Sequence, residues 1–181
     1  AVDADTAAAL AQQTRDVKRV GVFVDPDDHL LARVLDRAPL DIIQLHGSET
    51  PDRVRAVRDR FNRPVMKAVA VSGADDLTRA RIYENAADLL LFDAKPPKSM
   101  ANALPGGNAL RFDWTLLADA RFGVPWFLSG GLDAAVIGDA LRISGVRAVD
   151  VSSGVEDRPG HKSAEKITAF LKAVREYENR I

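Results

Sequence analysis

The chain has 181 residues, 25 basic against 26 acidic side chains, 46% hydrophobic residues and no cysteine. That length buries one sizeable core, and the near-zero net charge argues against a dedicated nucleic-acid or polyanion binder. The lack of cysteine excludes a disulfide framework, a thiolate metal site and a cysteine nucleophile within these residues.

No apolar run approaches the ~18 residues of a membrane span. The charged, alanine-rich opening AVDADTAAALAQQ does not read as a signal peptide. A single cytoplasmic domain over 1–181 is therefore expected. A helix is predicted first, over 5–14, and a strand over 19–24 (RVGVFV). Further strands are expected at 41–45 (DIIQL), 65–71 (VMKAVAV), 88–92 (DLLLF), 125–128 (PWFL) and 147–151 (RAVDV). They are apolar rather than alternating, as parallel strands covered on both faces are. Helical patterns fill the gaps. Thr50 and Pro51 form an N-cap and first-turn pair, and further helices are expected over 74–83, 112–122 and 133–143. The last helix starts near Ser163 and carries Ile167, Phe170, Leu171, Val174 and Tyr177 as a core-facing stripe.

Strand-helix-strand repetition at this pitch gives an α/β class with a parallel sheet. No glycine-rich turn follows the first strand, whose continuation is DPDDHLL, so the dinucleotide-binding version loses its support. Polar residues at several strand C-terminal ends favour a (β/α)₈ TIM barrel, which builds its site there. Only six strands are counted, whereas a barrel needs eight; two more at this pitch would bring the length to roughly 225 residues, inside the usual barrel range. The expectation is therefore a barrel of which the chain covers strands 3–8 only, as one domain with its N-terminal part missing.

Two glycine-serine elements stand one strand-helix unit apart, Ser129-Gly130-Gly131-Leu132 and Ser152-Ser153-Gly154. Glycines let backbone N–H groups approach a phosphate, and serines add donors. Asp93 ends the LLLF run and is a candidate general acid or base, with a loop cap as the alternative. The Pro-, Gly- and Asn-containing stretch 94–110 reads as a mobile loop over the site. Gln44 and His46 alternate around Leu45, so they share one side of the strand end. His29, His46 and His161 are in no ligand spacing, so no metal is expected. Lys67 suits a structural salt bridge as well as a substrate contact. A phosphorylated small molecule is the ligand these features imply.

DIIQLHG (41–47), LLLFD (89–93), FLSGGL (127–132) and AVDVSSGVEDRPGHKS (148–163), in this order, resemble phosphoribosylanthranilate isomerases over nearly the whole chain. The resemblance implies a (β/α)₈ barrel. It also implies the Amadori rearrangement of N-(5-phosphoribosyl)anthranilate to 1-(2-carboxyphenylamino)-1-deoxyribulose 5-phosphate, without a cofactor. It makes Asp93 the general acid. Gly130, Gly131, Ser152, Ser153 and Gly154 become the phosphate binders, and Gln44 and His46 line the substrate site.

The family's base is a cysteine at the end of its first strand. The expectation is that the first strand, first helix and second strand are absent, leaving an inactive fragment of an active isomerase. Monomer or homodimer are both compatible. Two alternatives stand beside this reading. One is another phosphate-binding barrel enzyme, for which a Schiff-base lysine at Lys67 would be the mark. The other is a non-catalytic phosphate-binding remnant.

Overall fold

The computed structural model describes residues 2–95 and 110–179. They fall into two compact units, one over 1–68 and 82–90, the other over 69–81 and 91–181.

The first unit opens with α1 (Ala4–Gln13), β1 (Val20–Phe23), α2 (Asp28–Leu35), β2 (Ile42–Leu45) and α3 (Pro51–Phe61). Each helix starts on a side chain that accepts a backbone N–H from its own first turn: Asp3 from Thr6, Asp27 from Leu30 and Thr50 from Arg53. Pro51 occupies the first turn of α3, and Asn62 closes that helix in the left-handed conformation. Strands β1 and β2 are parallel, with Val20 opposite Ile42 and Phe23 opposite Leu45. β2 pairs in turn with the start of β3 (Val65–Val71), Ile43 facing Val65. All four positions of β2 are buried, whereas Val20 and Val22 of β1 are exposed. Aspartates at strand starts clip the pairs: Asp41 accepts from Arg19 N–H at 2.8 Å, and Asp88 from Val65 N–H at 2.8 Å. Asp88 N–H returns a bond to the Val65 carbonyl at 2.9 Å, just ahead of β4 (Leu89–Ala94).

The second unit holds the ends of β3 and β4, then α4 (Ala74–Ala80), β5 (Trp126–Leu128), α5 (Ile137–Ser144), the antiparallel hairpin β6 (Glu156–Arg158) with β7 (His161–Lys162), and α6 (Ala164–Glu178). Lys95 N–H donates to the Val71 carbonyl at 2.9 Å, and Ser129 N–H to the Phe92 carbonyl at 2.8 Å, which aligns the C-terminal ends of β3, β4 and β5. Leu91, Phe92, Leu117, Leu128, Leu132 and Ile137 form its core. The rings of Phe92, Phe122 and Trp126 lie 4.8–6.2 Å apart and close that core beside β5.

These elements correct the expected barrel represented by strands 3–8 only. The described strands are β1–β7, five of them parallel and two in a separate antiparallel hairpin. The expected strand 147–151 makes only a parallel bridge from Val149 to Leu128. Its chain then turns into a short 3₁₀ segment at Ser153–Val155. The expected helix over 112–122 is a four-residue 3₁₀ turn, Trp114–Leu117, started by Asp113. One turn of helix fixes several dihedrals for few hydrogen bonds, so tertiary packing decides its length. The helix expected from 133 begins at Ile137, because Asp133 spends its carboxylate on the amides of Ala135 and Val136. In α6 only Phe170 of the predicted stripe is buried, while Ile167 and Leu171 are exposed. The 94–110 loop expectation falls, over 96–109, outside the described residues.

Candidate functional site

The second unit carries a pocket at the C-terminal ends of β4 and β5. Asp93 reaches it from β4 with only 7% of its surface exposed, and the Ala94 N–H donates to its Oδ1 at 2.9 Å. Gly130, with φ of +92°, passes so close that a Cβ there would stand 2.7 Å from Ala94 N and 3.0 Å from Asp93 Oδ1. The left-handed backbone and the lack of space both demand glycine. At Gly131 (φ +60°) a Cβ would meet the Leu110 carbonyl oxygen at 2.6 Å. Arg111 braces this turn, Nε donating to the Gly131 carbonyl at 2.9 Å and the guanidinium pairing with Asp133 at 3.2 Å.

The second loop, Ser152-Ser153-Gly154, lines the same pocket. A Cβ on Gly154 would lie 1.8 Å from the Leu132 carbonyl oxygen, so the two glycine loops are in backbone contact. Lys162, from the hairpin, holds Ser152 by its carbonyl at 2.9 Å and pairs with Glu156 at 2.7 Å. That lysine keeps the Glu156 carboxyl below the usual glutamate range, chiefly through its hydrogen bond. The glycine backbone and serines of the two loops, residue types suited to an oxyanion, line the same pocket as the Asp93 carboxyl.

The fold thus gathers Asp93, Gly130, Gly131, Ser152, Ser153 and Gly154 around one pocket. Sequence reasoning missed Asp150, a second carboxylate on its wall, which accepts from Ser129 Oγ at 2.9 Å. The aspartate in VDVSS was visible, and its place beside the SGGL serine was not.

Gln44 and His46 belong to the first unit. They do share one side of the strand end: Gln44 Nε2 and His46 Nδ1 are 3.0 Å apart, with Gln44 buried. Lys67 is a buried ion-pair partner there, its Nζ 3.0 Å from Glu49 Oε2 and bonded to the carbonyls of Gly47 and Ala68 at 2.7 and 2.8 Å. A Schiff-base lysine must present a free amine, and this one is enclosed, so the reading built on Lys67 loses its nucleophile. Glu49 lies 18 residues away in sequence, a separation at which no local pattern reveals a partner. His161 is exposed on the hairpin.

The family model described as N-(5'phosphoribosyl)anthranilate (PRA) isomerase matches residues 1–173. An N-(5'-phosphoribosyl)anthranilate isomerase from Rhodospirillum centenum is 60% identical over 168 residues, covering 92% of this chain and 78% of the relative. Among solved structures, monomers generated from the dimeric phosphoribosylanthranilate isomerase of Thermotoga maritima superpose with a TM-score of 0.80 at 32% identity. That match covers 97% of this chain and 80% of the other. A phosphoribosyl anthranilate isomerase in complex with reduced 1-(o-carboxyphenylamino)-1-deoxyribulose 5-phosphate gives the same TM-score, identity and coverage. The expectation of a family member lacking its first strand, first helix and second strand is corrected to what the comparison gives, a family match over residues 1–173, nearly the whole chain.

Proposed function

The chain belongs to the N-(5'-phosphoribosyl)anthranilate isomerase family, and we propose that Asp93 is its general acid and the two glycine loops its phosphate site. It is an isomerase of tryptophan biosynthesis, of TIM-barrel type, acting at the third step from chorismate. Its substrate is a small phosphorylated anthranilate, N-(5-phosphoribosyl)anthranilate, and it works as a monomer or homodimer. The reaction is an Amadori rearrangement. Protonation of the ribose ring oxygen breaks its bond to C1′ and leaves a Schiff base with the anthranilate nitrogen. Loss of the C2′ proton gives an enolamine, which tautomerises to the 1-deoxyribulose ketone.

The single observation that carries the assignment is the contact between Gly130 and the Asp93 carboxyl, with no room for a Cβ between them. The SGGL loop is thereby held against the acid, and Gly154 joins the second loop to the first. A phosphate seated on Gly130, Gly131, Ser152, Ser153 and Gly154 places the sugar attached to it next to Asp93. The location is cytoplasmic on this reading. It is supported by the balanced charge and by the finding that no helix among the described residues is long and apolar enough to cross a membrane.

Asp93→Asn keeps the shape of the side chain and removes its proton. General acid catalysis contributes roughly 10²–10⁴-fold, so kcat should fall within that range while KM moves by less than about threefold. Near-normal kcat in a folded variant would remove Asp93 from the acid role.

A further inference from the structure

We propose that Lys162 is a positioning residue for the substrate phosphate, acting through Ser152. Its ammonium fixes the serine so that the hydroxyl gives its proton to a phosphate oxygen. The inference rests on the reading above that Ser152, Ser153 and Gly154 belong to the phosphate site.

The residues involved all lie in the second unit. The β6–β7 hairpin follows directly on the Ser152-Ser153-Gly154 loop, with Glu156 opposite Lys162 across the two strands. Cross-strand neighbours of opposite charge attract, and here Lys162 Nζ stands 2.7 Å from Glu156 Oε1. Glu156 is itself held. Its Oε2 accepts the Gly160 N–H at 3.0 Å, and its carbonyl accepts from Lys166 Nζ of α6 at 2.6 Å. Ser163 N–H donates to the Val155 carbonyl at 2.9 Å, and Val155 is buried. The hairpin is thus tied to the loop before it and to the helix after it, which gives Lys162 a fixed point from which to reach.

An ammonium has three N–H donors and no acceptor. Lys162 has three acceptors for them: Glu156 Oε1, the Ser152 carbonyl at 2.9 Å and, more loosely, Ser152 Oγ at 3.3 Å. Because the nitrogen only donates, Ser152 Oγ accepts, and the proton of the hydroxyl points elsewhere. Among the described residues no group takes that proton, and Ser152 lines the pocket. A hydroxyl that accepts from a cation donates more strongly, since hydrogen bonds in a chain polarise one another. An anionic oxygen is the acceptor that suits it best. Glu156 offsets the Lys162 charge, so the lysine acts on a phosphate through Ser152 rather than by attraction at a distance.

The test is steady-state kinetics, with inorganic phosphate as inhibitor, on Lys162→Met, Ser152→Ala and the double variant. Folding is verified by circular dichroism. Lys162→Met keeps the apolar stem and removes the ammonium. KM for phosphoribosylanthranilate and Ki for inorganic phosphate should each rise about tenfold, the scale of one hydrogen bond to a charged group. The value of kcat should stay within about threefold. In the Ser152→Ala background the same change should add less than about twofold, because residues that act through one another are not additive. Parent-like KM and Ki in folded Lys162→Met, or full additivity with Ser152→Ala, overturns the proposal and leaves the hairpin a structural brace. Should Lys162→Met not fold, Lys162→Gln decides by the same criteria. Gly154→Ala separates the two failures. If neither it nor Ser152→Ala raises KM and Ki, the loop is not the phosphate site; if both raise them while Lys162→Met does not, only the role of Lys162 is wrong.

Discussion

Asp93 lies in a crowded part of the second unit, with the Gly130 backbone against its carboxyl and the amide of Ala94 bonded to it. The same crowding makes the glycines testable. Gly154→Ala would drive a methyl group into the Leu132 carbonyl oxygen, 1.8 Å from the ideal Cβ, so one loop must shift away from the other. The expected result is a rise in KM of about tenfold or more, with overpacking costing roughly 1–3 kcal/mol of stability. Urea titration and initial rates measure both, and an unchanged KM would separate Gly154 from the phosphate loop. At this scale the sequence was informative wherever chemistry and backbone geometry coincide in one residue type. Asp93 after LLLF, the SGGL glycines and the SSG run stand out by residue type, and the fold gathers them around one pocket. Asp150 and Glu49 did not, because their partners, Ser129 and Lys67, lie 21 and 18 residues away.

Elements in this chain are clipped at their ends. Ser163 caps α6 by accepting from Lys166 N–H, and Ser163→Ala should cost about 1 kcal/mol. Thermal denaturation would reveal it, and an unchanged midpoint would show that the cap is idle. At the start of β2, Asp41 binds both the backbone N–H and the guanidinium of Arg19. The hydrogen bond to the guanidinium is the main cause holding its carboxyl down at about 2. A depressed carboxyl stabilises the fold above its unfolded-state pKa, near 3.9, and that contribution is lost as pH falls through the folded value. Asp41→Asn should therefore lower stability at neutral pH, and the difference from the parent should shrink between about pH 4 and about pH 2. Chemical denaturation across that window checks it; a constant difference would show that the charge is not the cause. Caps such as Thr50 and Ser163 were legible because they use local bonds within three residues. The 3₁₀ turn at Trp114–Leu117 was misread as a longer helix, because its apolar spacing serves the Phe92–Phe122–Trp126 cluster rather than a helix face.

For the whole molecule, ligand and stability are linked. A ligand that binds only the folded state at 100 times its Kd stabilises by about 2.7 kcal/mol. Reduced 1-(o-carboxyphenylamino)-1-deoxyribulose 5-phosphate should therefore raise Tm by roughly 5–10 °C in a chain of this size. The shift should shrink in Gly154→Ala, and a parent-like shift there would move the phosphate elsewhere. The sequence by itself determined the α/β class, the positions of five parallel strands, the helix caps and the family, because apolar runs, capping residues and glycine-serine motifs are local and carry their meaning within a few residues. The tertiary structure decided what depends on distant partners. It made the sixth expected strand a single bridge leading to a hairpin, overturned the count that placed the chain at strands 3–8, and enclosed Lys67 against Glu49 instead of presenting it to a ligand. Pairing and burial are set by residues remote in sequence, and no local pattern contains them.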